Sequence, residues 1–315
     1  MLAAPPHTAE GLFVFGNPQR PYLRATKTHP LSDSAILLIH CTDQPGLVAQ
    51  VTEFVHRNRG NILNLDQHVD RSIGQFFMRI EWDLDGFLIP PDKIHDYFGT
   101  LLGKAYAMEW QLHFSHRKPR MAIFVSKASH CLFDLLQRHG TGEFDCDITA
   151  IYSNHGSLGE LAGRFGIPFH HLEITPDTKA RQEAKATALL EADGTDLIVL
   201  ARYMQVLSDD FCRRWSHRII NIHHSFLPAF KGARPYQRAL ERGVKLIGAT
   251  AHYVTADLDE GPIIAQSVEP VSHHHTIEDL KRIGKDVEKR VLSQAVYLHL
   301  RHLILPFGNR TIIFN

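Results

Sequence analysis

Short apolar segments alternate with helical patterns from Met121 onward, and this alternation limits the fold more than any other feature of the chain. The segments at 121–125 (MAIFV) and 195–201 (TDLIVLA) are almost continuously apolar, which is typical of strands buried on both faces. The Ala-, Glu- and Leu-rich stretch at 178–192 lies between them and has a strong helical pattern. Repeated strand–helix units of this kind predict an α/β fold with a doubly wound, mostly parallel sheet.

The N-terminal part of the chain has a different order of elements. Its patterns predict strand, helix, two strands, helix and strand between residues 35 and 114, which is the order of a ferredoxin-like βαββαβ unit. Thr42 or Asp43 is expected to cap the first helix, with Pro45 in its first turn. We therefore expect four parts: a Pro-rich tail at 1–30, a small domain at 31–114, a basic linker at 115–120 and a larger domain at 121–315.

Composition excludes several classes of function. The 315 residues include 34 basic and 34 acidic ones, so the chain has no positive excess and a nucleic-acid partner is not expected. Four scattered cysteines fit a reducing, cytoplasmic compartment. No apolar run approaches the roughly 18 residues of a membrane span, so no membrane partner is expected. The run at 273–275 is three histidines; adjacent residues do not share a face, so we expect a solvated turn and no metal site.

Polar residues interrupt an apolar segment where a strand should end. The isoleucine-rich run at 219–222 predicts a buried strand, and Asn221 and His223 lie within it or directly after it. Asp259 follows in the segment LDEGPII at 258–264. An amide stabilises an oxyanion, an imidazole moves protons, and a carboxylate orients the imidazole. Because α/β sheets build sites at strand ends, the sequence predicts that these three side chains form an acyl-transfer site.

The complete phrase resembles the signature of the folate-dependent formyltransferase family. It reads Asn-Ile-His-x-Ser-x-Leu-Pro from 221 and Asp-x-Gly-x-Ile-Ile from 259, and the resemblance covers residues 119–315. It implies that Asn221 binds the oxyanion, that His223 shuttles the proton, and that Asp259 favours the charged form of His223 and helps to hold water. For His252, which matches a family histidine, a supporting role and a plain structural role are both left open. No cofactor is implied, because the folate is itself the substrate.

The same resemblance implies where folate binds. Two segments are expected to hold the pterin, namely Met204, Gln205, Val206 and Leu207 at the end of the central strand, and Val254, Thr255 and Asp257 at the end of a later strand and in the loop that closes over the pterin. Gly261 is expected to let that loop fold tightly. His224 stands where related transferases have proline, and strand alternation predicts that its side chain points away from His223.

The turn at 126–132 indicates the acceptor of the formyl group. Family members that act on a ribonucleotide amine have a Gly-x-Gly-Ser-Asn turn at this point, which holds a phosphate with backbone N–H groups. This chain has SKASHCL instead; it lacks those glycines and resembles hydrolytic members of the family. The implied reaction is hydrolysis of 10-formyltetrahydrofolate to tetrahydrofolate and formate, which balances one-carbon folate pools and supplies formate for purine synthesis.

Two alternatives stay open at this point. One is formyl transfer to an amine, in which Ser126 and Lys127 hold a phosphate in another way. It is disfavoured by the missing glycines and, for an initiator-tRNA substrate, by the neutral charge of the chain. The other is a regulatory protein that only senses folate, which would leave the presence of Asn221, His223 and Asp259 unexplained.

The phrase Thr-Asp-x-Pro-Gly-Leu-Val at 42–48 resembles the ACT domain, a small module that senses amino acids. The resemblance implies a ligand at the interface of paired ACT domains, with Asp43, Gly46 and Asn61 as contacts. Methionine and glycine are the expected effectors, and the pairing implies a homo-oligomer, expected to be a homotetramer. A role in assembly alone is the alternative for this domain.

Overall fold

The computed structural model describes residues 33–228 and 235–314. The N-terminal tail expected at 1–30 lies outside the described residues, as does most of the loop expected between Pro228 and Pro235. The smaller sheet ends with a strand at Glu109–Phe114 and the larger sheet begins with one at Arg120–Val125. The predicted domain boundaries at 115 and 121 stay predictions.

The smaller sheet has four antiparallel strands in the order β2-β3-β1-β4. Its core combines the inner faces of both helices with one face of the sheet, around Val51, Phe98 and Trp82. In chain order its elements are β1 (Ser34–Thr42), α1 (Leu47–Arg57), β2 (Ile62–Asp70), β3 (Gln75–Asp83), α2 (Pro91–Phe98), a π-helical turn (Gly99–Gly103) and β4 (Glu109–Phe114). The predicted ferredoxin-like order is therefore confirmed.

The first helix begins differently from the prediction. Neither Thr42 nor Asp43 caps it; the N-cap is Gly46, with φ of 92° and no side-chain cap. Pro45 precedes the helix instead of lying in its first turn. A left-handed backbone at Gly46 turns the chain from β1 into α1, a conformation that glycine adopts without steric cost.

The larger sheet has seven strands in the order β11-β10-β9-β8-β5-β6-β7. Four of its pairings are parallel, and β10 runs antiparallel to both β9 and β11. In chain order the elements are β5 (Arg120–Val125), α3 (His130–Gly140), β6 (Asp147–Ser153), α4 (Gly159–Arg164), β7 (Phe169–His171), α5 (Lys179–Ala192), β8 (Leu197–Leu200), α6 (Asp209–Arg214), β9 (Ile219–His223), α7 (Pro235–Arg242), β10 (Leu246–Tyr253), β11 (Ile263–Pro270) and α8 (Ile277–Leu300). The doubly wound, mostly parallel sheet is confirmed.

The longest helix, α8, packs along β10 and β11 and carries residues of both the core and the cleft. Its start is as predicted, with Thr276 as N-cap and Asp279 completing a reciprocal capping box. None of the helices within the described residues is long and apolar enough to cross a bilayer.

A C-terminal hairpin joins the two sheets and was not predicted from the sequence. It consists of β12 (Ile304–Phe307) and β13 (Arg310–Ile313). Leu305 packs with Leu38 and Phe77 of the smaller sheet, while the Thr311 hydroxyl donates to the Ile263 carbonyl at the start of β11. The hairpin therefore covers one face of the smaller sheet and anchors it to the larger one.

Three half-buried imidazoles lie where β4 meets the end of α8. The rings of His113 and His302 are stacked with centroids 3.7 Å apart, and the Tyr253 hydroxyl contacts His299 Nδ1 at 2.8 Å. Burial first, and then neighbouring cationic groups, lower the pKa of His113 and of His299 to about 4 and that of His302 to about 2. The folded protein therefore keeps these rings neutral at a pH where the unfolded chain protonates them.

This difference in protonation predicts that the free energy of unfolding decreases as the pH falls from about 6.5 towards 4. Each ring that is protonated in the unfolded chain but neutral in the folded protein contributes about 1.4 kcal/mol per pH unit to this decrease. Because the folded pKa values lie below the unfolded value, the contribution is complete above about pH 6.5. His113→Phe keeps the stack and removes one titrating group, so it should flatten this slope. Urea unfolding at several pH values measures it, with exposed His273→Phe as the control; an unchanged slope in His113→Phe would contradict the assignment.

Candidate active site

Neighbouring antiparallel strands bring the first two polar side chains of the site together. Asn221 of β9 is paired in register with His252 of β10, and Asn221 Nδ2 lies 3.2 Å from His252 Nε2. The register between β10 and β11 shifts between Ala251 and His252, and such β-bulges are common where a side chain is re-aimed beside a site. His252 Nδ1 lies 2.8 Å from the Tyr253 carbonyl. This nitrogen must be the N–H donor, because a carbonyl oxygen only accepts.

The loop after β10 returns towards β9 and places a carboxylate between two imidazoles. Asp259 Oδ2 lies 3.2 Å from His223 Nδ1, and Oδ1 lies 3.7 Å from His252 Nε2. Asp259 has a φ of 57°, a left-handed conformation that aspartate tolerates better than most residues. The structure therefore brings together Asn221, His223 and Asp259, as the sequence predicts.

Electrostatics fix the charge of Asp259 and the orientation of His223. Burial of Asp259 raises its pKa, but its interactions with His223 and His252 outweigh burial and hold that pKa well below its usual range. The ionised carboxylate accepts from His223 Nδ1, which leaves Nε2 as the basic nitrogen of the neutral ring. His223 Nε2 is buried and has no hydrogen-bond partner among the described residues. It is thus free to exchange a proton with a bound reactant.

The three residues open into a cleft of about 960 Å³, a size suited to a cofactor-sized ligand. Six of the seven predicted pterin contacts line it: Met204, Gln205, Val206, Leu207, Val254 and Thr255. Met204 is 61% exposed and Val206 is 56% exposed, and the neighbouring Leu258 is 64% exposed. Clustered exposed apolar side chains are typical of a ligand-binding surface.

Two predictions about the cleft need correction. Asp257 is exposed and is not among the described residues that line the cleft, because the loop instead presents its neighbours Ala256 and Leu258 there.

Met204 to Leu207 do not continue the central strand, since β8 ends at Leu200. The Ser126 hydroxyl accepts from the Met204 backbone N–H at 2.9 Å and donates to Asn154 Oδ1 at 2.7 Å. The segment at 204–207 is therefore held in place by a hydrogen bond to a buried serine and not by strand pairing.

The predicted direction of His224 is also wrong. Its ring stacks on that of His223 with centroids 5.0 Å apart, and both residues line the cleft. Strand β9 ends at His223, so the alternation of side chains no longer applies to the next residue. Burial first, and then the nearby Arg202 and His223, lower the pKa of His224 to about 4, so this ring is neutral at physiological pH.

The three residues predicted to bind an ACT ligand do not converge within one chain. Asp43 and Gly46 lie between β1 and α1, and both are exposed. Asn61 follows α1, so this helix of 11 residues, about 16 Å long at 1.5 Å per residue, separates it from the other two. A shared site would need a second copy of the domain.

A second polar cluster lies in the cleft, around Glu288 of α8. His130 Nε2 is 2.7 Å from Glu288 Oε2, and the Tyr236 hydroxyl donates to Oε1 at 3.0 Å. His130, Cys131 and Glu288 together could in principle ligate a metal ion. Burial raises the pKa of the Cys131 thiol far above its usual range, and Arg202 Nε lies 3.4 Å from Glu288 Oε2. A protonated thiol and an adjacent guanidinium do not suit a metal cation.

Comparison with known proteins assigns this architecture to a family. The formyl transferase family model matches residues 119–296, and the ACT domain model matches residues 35–84. The chain is 52% identical over 281 residues to the formyltetrahydrofolate deformylase of Synechocystis sp., which covers 89% of this chain and 98% of that protein. It is 47% identical to the deformylase of Bacillus subtilis, over 90% of this chain and 94% of that one.

The chain belongs to the formyltetrahydrofolate deformylase family. The crystal structure of a family member from Pseudomonas syringae is similar, with a TM-score of 0.87 and 42% identity over 90% of this chain and 95% of that chain. The high coverage includes both sheets, so the deformylase architecture applies to nearly all the described residues. The predicted fold is thereby confirmed at the level of the family.

Sequence reasoning missed several residues of this deformylase-family site. Ser126, which holds the Met204 backbone, was considered only as part of a turn and, in the transferase alternative, as a phosphate contact, and Glu288 was not considered at all. Glu288 is 2% exposed and stands on a helix with a continuous apolar face. A charged residue at a core position of that pattern is a signal that could have identified it, because buried charges are rare unless they are paired.

Proposed function

We propose that the chain hydrolyses 10-formyltetrahydrofolate to tetrahydrofolate and formate, with Asn221, His223 and Asp259 as its catalytic residues. The observation that carries the proposal is the His223 ring, held by Asp259 through Nδ1 at 3.2 Å, with a buried Nε2 that has no hydrogen-bond partner within the described part of the chain. A base held in this way by a third group is the arrangement that acyl transfer requires.

The roles follow from the donors and acceptors. Water attacks the formyl carbon, its proton passes to His223 Nε2, and the carbonyl oxygen becomes an oxyanion. One N–H of the Asn221 amide is directed at His252, which leaves the other to donate to the oxyanion. When the intermediate collapses, the C–N10 bond breaks and His223 returns the proton to N10. Asp259 stabilises the transient imidazolium by its charge.

The substrate binds by its pterin end in this proposal. The backbone and apolar side chains from Met204 to Leu207, with Val254 and Thr255, provide a wall of the cleft against which a fused aromatic ring would be desolvated. The wall and the catalytic residues line the same cleft, so a ring seated there places its attached formyl group beside Asn221 and His223. The reaction would balance one-carbon folate pools and supply formate for purine synthesis.

Formate release from 10-formyltetrahydrofolate, with no amine and with a metal chelator present, tests this function. Equal amounts of formate and tetrahydrofolate are expected, since water is the only acceptor and no cofactor is required. Release that appears only after an amine is added would show a transferase, and release that requires an added metal would refute the cofactor-free mechanism. Binding of folate without turnover would support a sensor.

The ACT domain is proposed to pair with a second copy and to bind an amino acid. Strand β2 lies at the edge of the smaller sheet and exposes Leu63 and Leu65, which provides a surface for another chain. Asp43, Gly46 and Asn61 would then contact the ligand from two copies of a cytoplasmic homotetramer. Titration calorimetry with methionine and with glycine is expected to show binding that Asp43→Ala weakens. The absence of heat with both would leave the domain a role in assembly, and a monomer by light scattering would refute the pairing.

A further inference from the structure

The cluster around Glu288 takes no part in the proposed hydrolysis, yet it lies in the same cleft. Glu288, His130, Arg202 and Tyr236 all line this cleft together with Asn221 and the other catalytic residues. Glu288 accepts from His130 and from Tyr236. Arg202 Nε makes a charge contact with it at 3.4 Å and no hydrogen bond among the described residues. One buried anion thus holds three side chains in place.

The position of Tyr236 depends on the absence of a side chain on the facing helix. A Cβ atom at Gly284 would come within 2.0 Å of the Tyr236 hydroxyl oxygen.

Burial of Glu288 raises its pKa, but the hydrogen bond from His130 and the charge of Arg202 outweigh burial and lower it. Because leaving a buried charge without its partner strongly destabilises a folded protein, the cluster has one strongly preferred arrangement.

The cluster borders the reacting centre on a polar side of the cleft. His224 stacks on His223 at 5.0 Å and lies 6.4 Å from the Tyr236 ring. Arg202 and Glu288 both act on the charge of His224. The pterin wall at 204–207 offers apolar surface, so the polar side remains for the nucleophile. Side chains that bond to one another line that side.

We propose that His130, held by Glu288, is a specificity-determining residue that keeps amines out of the nucleophile's position, so that water is the acceptor. The proposal rests on the proposed hydrolysis. Without the imidazole, a small primary amine can attack the formyl carbon, the C–N10 bond breaks, and the products are a formamide and tetrahydrofolate. The proton lost by the amine passes through His223 to N10, as it does when water attacks.

The test is the partition of the formyl group between water and glycinamide. Wild-type protein should give formate alone at any glycinamide concentration. His130→Ala should give N-formylglycinamide, with a ratio of formamide to formate at least about tenfold above the detection limit that bounds the wild-type ratio, the usual effect of removing a few atoms from a pocket. His139→Ala is the matched control, because His139 lies on the same helix and bonds to the Cys146 carbonyl outside the cleft.

The outcomes separate this proposal from the function itself. If wild type releases no formate without an amine, the hydrolase function fails. If wild type releases formate and a folded His130→Ala variant divides the formyl group between water and glycinamide as wild type does, the hydrolase function stands. In that case only the proposal that His130 excludes amines fails. If His130→Ala does not fold, the double variant His130→Ala/Glu288→Gln replaces it in the test. The double variant removes the buried charge of Glu288 together with its partner His130. Formamide from wild type would also overturn the proposal.

Discussion

Asp259→Asn is expected to lower kcat for formate release by about 10²- to 10⁴-fold, the range for loss of acid–base assistance. The carboxylate is the group that holds His223 Nδ1, at 3.2 Å, and in the proposed mechanism it stabilises the imidazolium that forms when water is deprotonated. An asparagine amide can donate to Nδ1, which would move the ring proton to Nε2, where the base is needed. The KM for the folate should change little, because the pterin wall is formed by other residues.

The replacement keeps the backbone comparable, since asparagine adopts the left-handed conformation of residue 259 as readily as aspartate does. Steady-state kinetics of formate release measure the effect, with Asp177→Asn as an exposed loop control. A variant that retains wild-type kcat would remove Asp259 from the mechanism and leave His223 without an orienting group.

Local signals in the sequence predicted most of the architecture. The repeated strand–helix units, the βαββαβ order and the capping box at Thr276 depend on residues close together in the chain, where periodicity and capping chemistry operate. The convergence of Asn221, His223 and Asp259 was also predictable, because Asn221 and His223 lie at the end of one strand and Asp259 lies in a recognisable sequence motif. Whether these residues catalyse the reaction stays a prediction.

Features that depend on where an element ends were predicted poorly. Strand alternation placed His224 away from His223, but β9 ends one residue earlier and the two rings stack. The same limit applies to α1, where Gly46, rather than a polar side chain, forms the N-cap. Ends of elements are decided by tertiary packing and backbone turns, and these leave weak signals in the sequence.

The contacts within the Glu288 cluster and at the C-terminal hairpin, which join distant segments, were not predictable from the sequence. His130, Arg202, Tyr236 and Glu288 come from four separate elements or turns, and no spacing relates them. The hairpin β12–β13 was missed for a similar reason, since its partner surface is the distant smaller sheet. Only the assembled fold brings such residues together.

Gly261→Ala is expected to lower kcat by at least about 10²-fold, the cost of misplacing a catalytic group by roughly 1 Å. A Cβ atom at residue 261 would lie 1.8 Å from the Tyr253 carbonyl oxygen. The carbonyl oxygen belongs to the backbone, so it cannot relieve the clash by a change of rotamer. The Tyr253 N–H also donates a hydrogen bond to the Pro262 carbonyl at 2.9 Å. The loop must therefore move, and Asp259, two residues earlier, moves with it.

The movement should also disturb His252, because the Tyr253 carbonyl accepts from His252 Nδ1. Gly140→Ala is the control, since a Cβ there meets nothing within 4 Å and alanine suits the end of a helix. A crystal structure of Gly261→Ala should show a displaced Asp259 together with the loss of kcat. A folded Gly261→Ala variant with wild-type kcat would mean that the loop can shift without moving the Asp259 carboxylate. That result would refute the proposed dependence of the Asp259 position on Gly261.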